Sequence, residues 1–196
     1  ALGINCEKEE WMRPGNNIYY IPAILLNSWD EKRDGDKQLV EKLSGLDYPS
    51  FDKGLQMLYN SNESPLYKVG SVWQVTSPRL LISRILSELS ENTIGTFKEC
   101  IDWILEDDDP DVLAKRDSSD LRFWQDKHLY SEHIRSGLLQ SLTILAVVME
   151  SQGLPVRWID QYVASKLKEF SLERFLSNKH NLRWIAESSP CAFLDY

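Results

Sequence analysis

A chain of 196 residues, 42% hydrophobic and 11% aromatic, is long enough for one domain with a substantial core. Its formal charge of −8 argues against a broad nucleic-acid surface, which needs clustered Lys and Arg, and no such run occurs. The longest purely apolar stretches, such as 144–149, are far too short to span a bilayer, and no basic segment followed by an apolar run opens the chain, so neither a membrane span nor a signal peptide is expected.

Residues 1–30 read as an irregular segment packed on the rest. Within it Pro14-Gly15-Asn16-Asn17 is a turn cluster, and Pro22 suits the first turn of a short helix ending at Leu26. Asp30–Asp36 reads as a charged loop. Leu39, Val40, Leu43 and Leu46 mark one face of a helix closed near Gly45, and Phe51, Leu55, Leu58 and Tyr59 mark a second. Residues 66–75 place Gly70-Ser71 between two β-prone runs, the pattern of a small hairpin, which needs support from a neighbour; Trp73 is the residue expected to pack on a helix.

Ser77-Pro78 has the chemistry of a helix start, with Leu81, Ile82, Ile85, Leu86 and Leu89 as its apolar face. Ile94, Phe97, Ile101, Ile104 and Leu105 give the next helix, which Asp109-Pro110 should end. A polar stretch, 118–127, follows. Ser131 can cap a long helix whose core face is Ile134, Leu138, Leu142, Leu145 and Met149, and whose apolar belt widens after Leu138, as in a centrally buried helix. Gly153 and Pro155 break it. Val156, Ile159, Val163, Leu167 and Phe170 mark another helix; Leu172, Phe175 and Leu176 a short one; Leu182, Ile185 and Ala186 a last one, broken near Pro190. The fold class is therefore all-α: irregular, solenoid-like helix pairs in a single domain, 1–196, with one small hairpin. No fixed-period repeat is present.

Residues that carry chemistry are few. Cys6, Cys100 and Cys191 are far apart and form no C-x-x-C, so they read as free thiols of a reducing, cytoplasmic compartment. His128 and His133 are five apart, a spacing that does not share a helix face, and Glu132-His133 lacks the second His of a zinc helix. No metal site and no cofactor are expected. No phosphate loop, dinucleotide fingerprint or nucleophile elbow occurs. The run Glu106–Asp111 lacks the alternation and bend glycine of a calcium loop and reads as a solvated helix end. Adjacent acids oppose the helix dipole there, so a basic partner is expected among Arg116, Arg122 and Arg135. Arg135 stands where the long helix becomes buried. Its planar, multi-donor head makes a structural ion pair the natural role, with Asp109 or Asp111. A small hydrolase built on Glu132, His133 and Asp109 rests on residue types alone.

Five segments, in order, carry a resemblance: IPAILLNSW (21–29), SPLYKVGSVWQVTSP (64–78), DDDPD (107–111), YSEHIRSGLLQSLTIL (130–145) and LRWIAESSPCAFLDY (182–196). Together they resemble the helical region downstream of the ATPase module in large bacterial STAND-type NTPases, including those of antiviral defence. The polar Asn178-Lys179-His180-Asn181 departs from that pattern. The resemblance implies a fragment of a longer cytoplasmic protein, partnered by its own ATPase module and C-terminal repeats and sensing a target such as a phage protein. It would be non-catalytic, neither binding nor hydrolysing ATP. The alternative is a stand-alone helical adaptor for another protein.

Overall fold

The computed structural model describes residues 10–109 and 128–196. The chain is mostly helical. After a short 3-10 turn at Glu10–Met12, α1 spans Asn17–Leu26. Every residue from Tyr20 to Leu26 is buried, so this helix is held by packing all round rather than by one amphipathic stripe. Two expectations are corrected here. The described part of the segment, residues 10–30, is not irregular, since it contributes α1 and a strand, β1 (Ser28–Asp30). Pro22 lies inside α1 rather than in its first turn, leaving the Ile18 carbonyl without its helical donor; Ile18 is exposed, where water can take that place.

The loop expected over Asp30–Asp36 is also shorter, because α2 begins at Asp34 and runs to Ser44, ending on left-handed Gly45. α3 (Tyr48–Tyr59) is capped by Asp47, whose side chain accepts from the Ser50 amide. β2 (Leu66–Val69) and β3 (Val72–Val75) form the hairpin, but β1 joins it on the far side of β3, making a three-stranded antiparallel sheet of order β1-β3-β2. Three residues were too few for a period-two signal, and only the tertiary pairing defines β1 as a strand.

The register sorts the sheet into two faces. Trp29, Trp73 and Lys68 lie in one row, and Ser28, Gln74 and Tyr67 in the next, so alternation sends them to opposite sides. Trp29 stacks on Trp73 with centroids 6.1 Å apart, and Tyr59 of α3 meets Trp73 edge-on at 5.6 Å. Lys68 Nζ lies 4.7 Å from the Trp73 ring centre. The hairpin's support is thus another strand's tryptophan as much as a helix.

α4 (Pro78–Ile85) starts on Pro78, as expected, though Ser77 makes no side-chain cap. α5 (Glu91–Glu106) is capped by Ser90. α6 (Glu132–Ser151) is capped by Ser131 and buries eleven residues. It runs through the middle, against α1, α4, α5 and β1. Gly137 is required there: a Cβ would come 2.4 Å from the Leu26 carbonyl oxygen and 2.9 Å from the Ser28 amide nitrogen. α7 (Arg157–Glu169), α8 (Leu172–Ser177), α9 (Leu182–Ser188) and α10 (Pro190–Leu194) follow, α9 against α6 and α10 against α7. Pro190 does not end order; it opens α10 at the position where a missing N–H costs nothing. Buried apolar side chains from Trp11 to Ile185 form one cluster. Among the described residues no helix is long and apolar enough to cross a membrane. The polar stretch 118–127, Arg116, Arg122, Asp111 and Cys6 lie outside the described residues.

Candidate functional site

The segment after α5 turns sharply and meets the start of α6. Asp107 leaves the helix and turns its carboxylate onto the residues just before α6. Its Oδ1 accepts from the Leu129 amide at 3.2 Å and its Oδ2 from the Tyr130 amide at 3.2 Å. His128 Nδ1 lies 3.0 Å from the Asp107 main-chain oxygen and 3.4 Å from Oδ2. Arg135, one turn into α6 and 1% exposed, donates from Nη1 to Oδ2 at 3.1 Å and from Nη2 to Asn178 Oδ1 at 2.9 Å. Asn178 is itself 1% exposed, and its Nδ2 donates to the carbonyls of Leu105 and Arg174.

Among the described residues, Asp107, which the sequence did not single out, supplies a carboxylate bonded to Arg135; Asp111 lies outside the described residues. Asp109, the expected partner, adds to the negative field around Arg135, while its own amide donates to Ser177 Oγ at 2.9 Å. Asp108 pairs with Arg174 at 3.4 Å. Residues 107–109, the described aspartates of the acidic run, are thus not simply a solvated helix end. They form a clamp that ties α5 to α6 and α8, and the polar side chain of Asn178 completes it. Burial pushes the Asp107 carboxyl up, but the bonds from His128, Leu129 and Tyr130 and the Arg135 charge outweigh it, and the net direction is down.

A second buried carboxylate holds the other side of the same helix start. Asp36, 0% exposed, accepts from the amides of Asp30 and Ser131, each at 2.8 Å, and from Ser131 Oγ at 2.5 Å. Here burial prevails over those bonds and raises the carboxyl. Nothing in the sequence distinguishes Asp36 from its solvated neighbours Asp30 and Asp34.

The histidines are separated. His128 belongs to the clamp. His133 lines a cleft between the sheet and α6, and His180 lines another with Glu132, Asn181 and Trp184. Glu132 accepts from Asn181 Nδ2 at 3.1 Å. Among the described residues no group of three His, Cys, Asp or Glu is placed to hold a metal ion. The stretch that opens α6 is a capped, ion-paired entry to a core helix.

A cleft of about 270 Å³ between the sheet and α6 is lined mainly by polar side chains. Its floor is the row Ser28–Gln74–Tyr67, with Tyr67 OH donating to Gln74 Oε1. Its walls are His133, Ser136 and Gln140 of α6 and Asn27 at the end of α1. Asn27 has a positive φ of 64°, uncommon for a residue with a side chain, and its Nδ2 donates to Gln140 Oε1 at 2.9 Å.

Compared with family models, with curated proteins and with solved structures, the chain matches none.

Proposed function

We propose that this chain is a non-catalytic helical scaffold and sensor segment of a large STAND-type NTPase of bacterial antiviral defence. In that role it links the ATPase module to C-terminal target-recognition repeats in the cytoplasm, and its helices continue as solenoid-like pairs. The observation that supports this reading most is where the five resembling segments sit. β1 of the first pairs with β3 of the second. Gly137 of the fourth lies against Leu26 and Ser28 of the first. Asp107 of the third bonds Arg135 of the fourth, and Thr143 Oγ1 of the fourth donates to the Trp184 carbonyl of the fifth. Segments that matter together because they pack together are what a scaffold requires. The charged residues they carry, Asp107 and Arg135, are occupied in holding helices to one another.

The adaptor reading is favoured by a different observation: Leu172 and Leu194, on the C-terminal helices, and Tyr196, just past the last of them, are 71%, 83% and 58% exposed. Apolar side chains left out in that way suit a partner protein. Sequencing the native reading frame on both sides separates the two. A phosphate-binding loop upstream and further helix pairs downstream support the scaffold; a start just before Ala1 and a stop just after Tyr196 support the adaptor. ATP turnover by the purified chain would sink the scaffold reading.

A further inference from the structure

We infer that the cleft between the sheet and α6 is a binding site for an uncharged polyhydroxy ligand of about monosaccharide size. The cleft is independent of the scaffold reading and stands on its own geometry.

Charge narrows the ligand first. Among the described residues no Lys, Arg, Asp or Glu lines the cleft, so a phosphate or carboxylate entering it would lose hydration and find no permanent counter-charge beside the His133 imidazole. The volume of about 270 Å³ accommodates a small molecule and no more.

Hydrogen-bonding capacity narrows it further. The hydroxyls of the lining have spent their single donor and can only accept: Ser28 Oγ donates to the Trp73 carbonyl, Ser136 Oγ to the Glu132 carbonyl, and Tyr67 OH to Gln74. The donors that remain are those of carboxamides and an imidazole. Asn27 and Gln140 share one hydrogen bond, which leaves the oxygen of one amide and the nitrogen of the other unused, whichever way the pair is oriented. Gln74 Nε2 and the His133 ring make no hydrogen bond among the described residues. Asn27 is buried, Gln74 and Gln140 are half-buried and His133 is exposed, and none of their spare nitrogens and oxygens is sealed from solvent, so a ligand can reach them.

Placement then selects between flat and three-dimensional ligands. The spare groups sit on three separate elements. Gln74 rises from the sheet, Asn27 comes from the end of α1, and His133 and Gln140 stand seven residues apart on α6, roughly 10 Å along its axis. A nucleobase edge presents its donors and acceptors in one plane. Hydroxyls distributed round a sugar ring, each able to donate and to accept, reach groups on several walls. The Tyr67 ring adds an apolar surface for the face of the sugar.

The cleft is also built into the rigid part of the molecule. Asn27 holds a positive φ, and the helix wall is fixed by the close approach at Gly137. Strain of that kind persists where the surroundings over-determine it, and it concentrates at sites.

The test is titration of the purified chain with glucose, galactose, mannose and N-acetylglucosamine, each alone. Binding is followed by calorimetry and by the NMR signals of the His133 ring and the glutamine amides. The expected result is saturable binding of at least one sugar that perturbs those signals. Gln74→Ala should weaken it by up to about tenfold at an unchanged melting temperature; Gln140→Ala should weaken it as much but also lower the melting temperature, because it takes the acceptor from buried Asn27. Binding to none of the sugars overturns the inference, as does equal binding by both variants. Adenosine or acetamide perturbing the His133 signal in place of every sugar also overturns it.

Discussion

Arg135 and Asp107 are joined at 3.1 Å across 28 residues of sequence, with the guanidinium 1% exposed and the carboxylate side chain 14% exposed. This pair decides how α5, α6 and α8 meet. Removing the guanidinium leaves Asp107 half-desolvated and Asn178 Oδ1 without a donor. Arg135→Ala should therefore cost about 3–5 kcal/mol. For a chain of this length that is roughly 6–20 °C in melting temperature. A melting temperature within error of the parent would show that the pair is not buried in solution. Arg135→Met, which keeps the stem packed, should cost less than the alanine.

Asn178 is the residue most tightly coupled to that pair. Asn178→Ala takes away one acceptor from Arg135 and two donors from the Leu105 and Arg174 carbonyls. The expected loss is about 1–3 kcal/mol. A double-mutant cycle with Arg135→Ala should show an interaction energy of about 0.5–3 kcal/mol, measured from urea midpoints; strict additivity would separate the two residues.

Buried Asp36 and half-buried Asp107 make opposite predictions for pH. The Asp107 carboxyl is lowered below its ordinary 3.8, so its stabilising contribution is complete above 3.8 and disappears as the pH falls through the folded-state value. The Asp36 carboxyl is raised above 3.8, so its relative contribution is complete below 3.8 and is lost as the pH rises through its higher folded-state value. Asp107→Asn should flatten the acid limb of stability below 3.8. Asp36→Asn should steepen the rise of stability just above it. Urea midpoints taken from neutral pH down past 3.8 read both, and parallel curves for all three proteins would contradict the assignment.

Two glycines in helices should answer the same substitution with opposite signs. Gly137→Ala forces a Cβ to within 2.4 Å of the Leu26 carbonyl oxygen, which is backbone and cannot swing aside. It should destabilise by about 1–3 kcal/mol. Gly95, in α5, has open space where its Cβ would go, so Gly95→Ala should stabilise by about 0.5–1 kcal/mol through helix propensity. Thermal melts of the two variants suffice, and a stabilised Gly137→Ala would refute the close approach of α6 to the end of α1.

Much of the fold was legible because local chemistry wrote it into the chain. The apolar periodicity marked α2 to α7, Gly45 and Pro78 marked helix ends, Ser131 marked a cap, and the Gly70-Ser71 pair marked the turn between β2 and β3. These signals need only near neighbours. The central burial of α6 was also visible, since an apolar belt all round a helix has no other stable place. Tertiary structure decided what depends on distant partners. Ser28–Asp30 becomes a strand only because β3 offers an edge to it, and Pro22 stays inside α1 only because packing on every side holds that helix against a missing hydrogen bond. Which of several adjacent aspartates meets Arg135, which of three aspartates near residue 34 is buried, and which amides share a cleft are settled by helix packing to within an ångström or two. Residue type is the same in each case, and only the position in space differs.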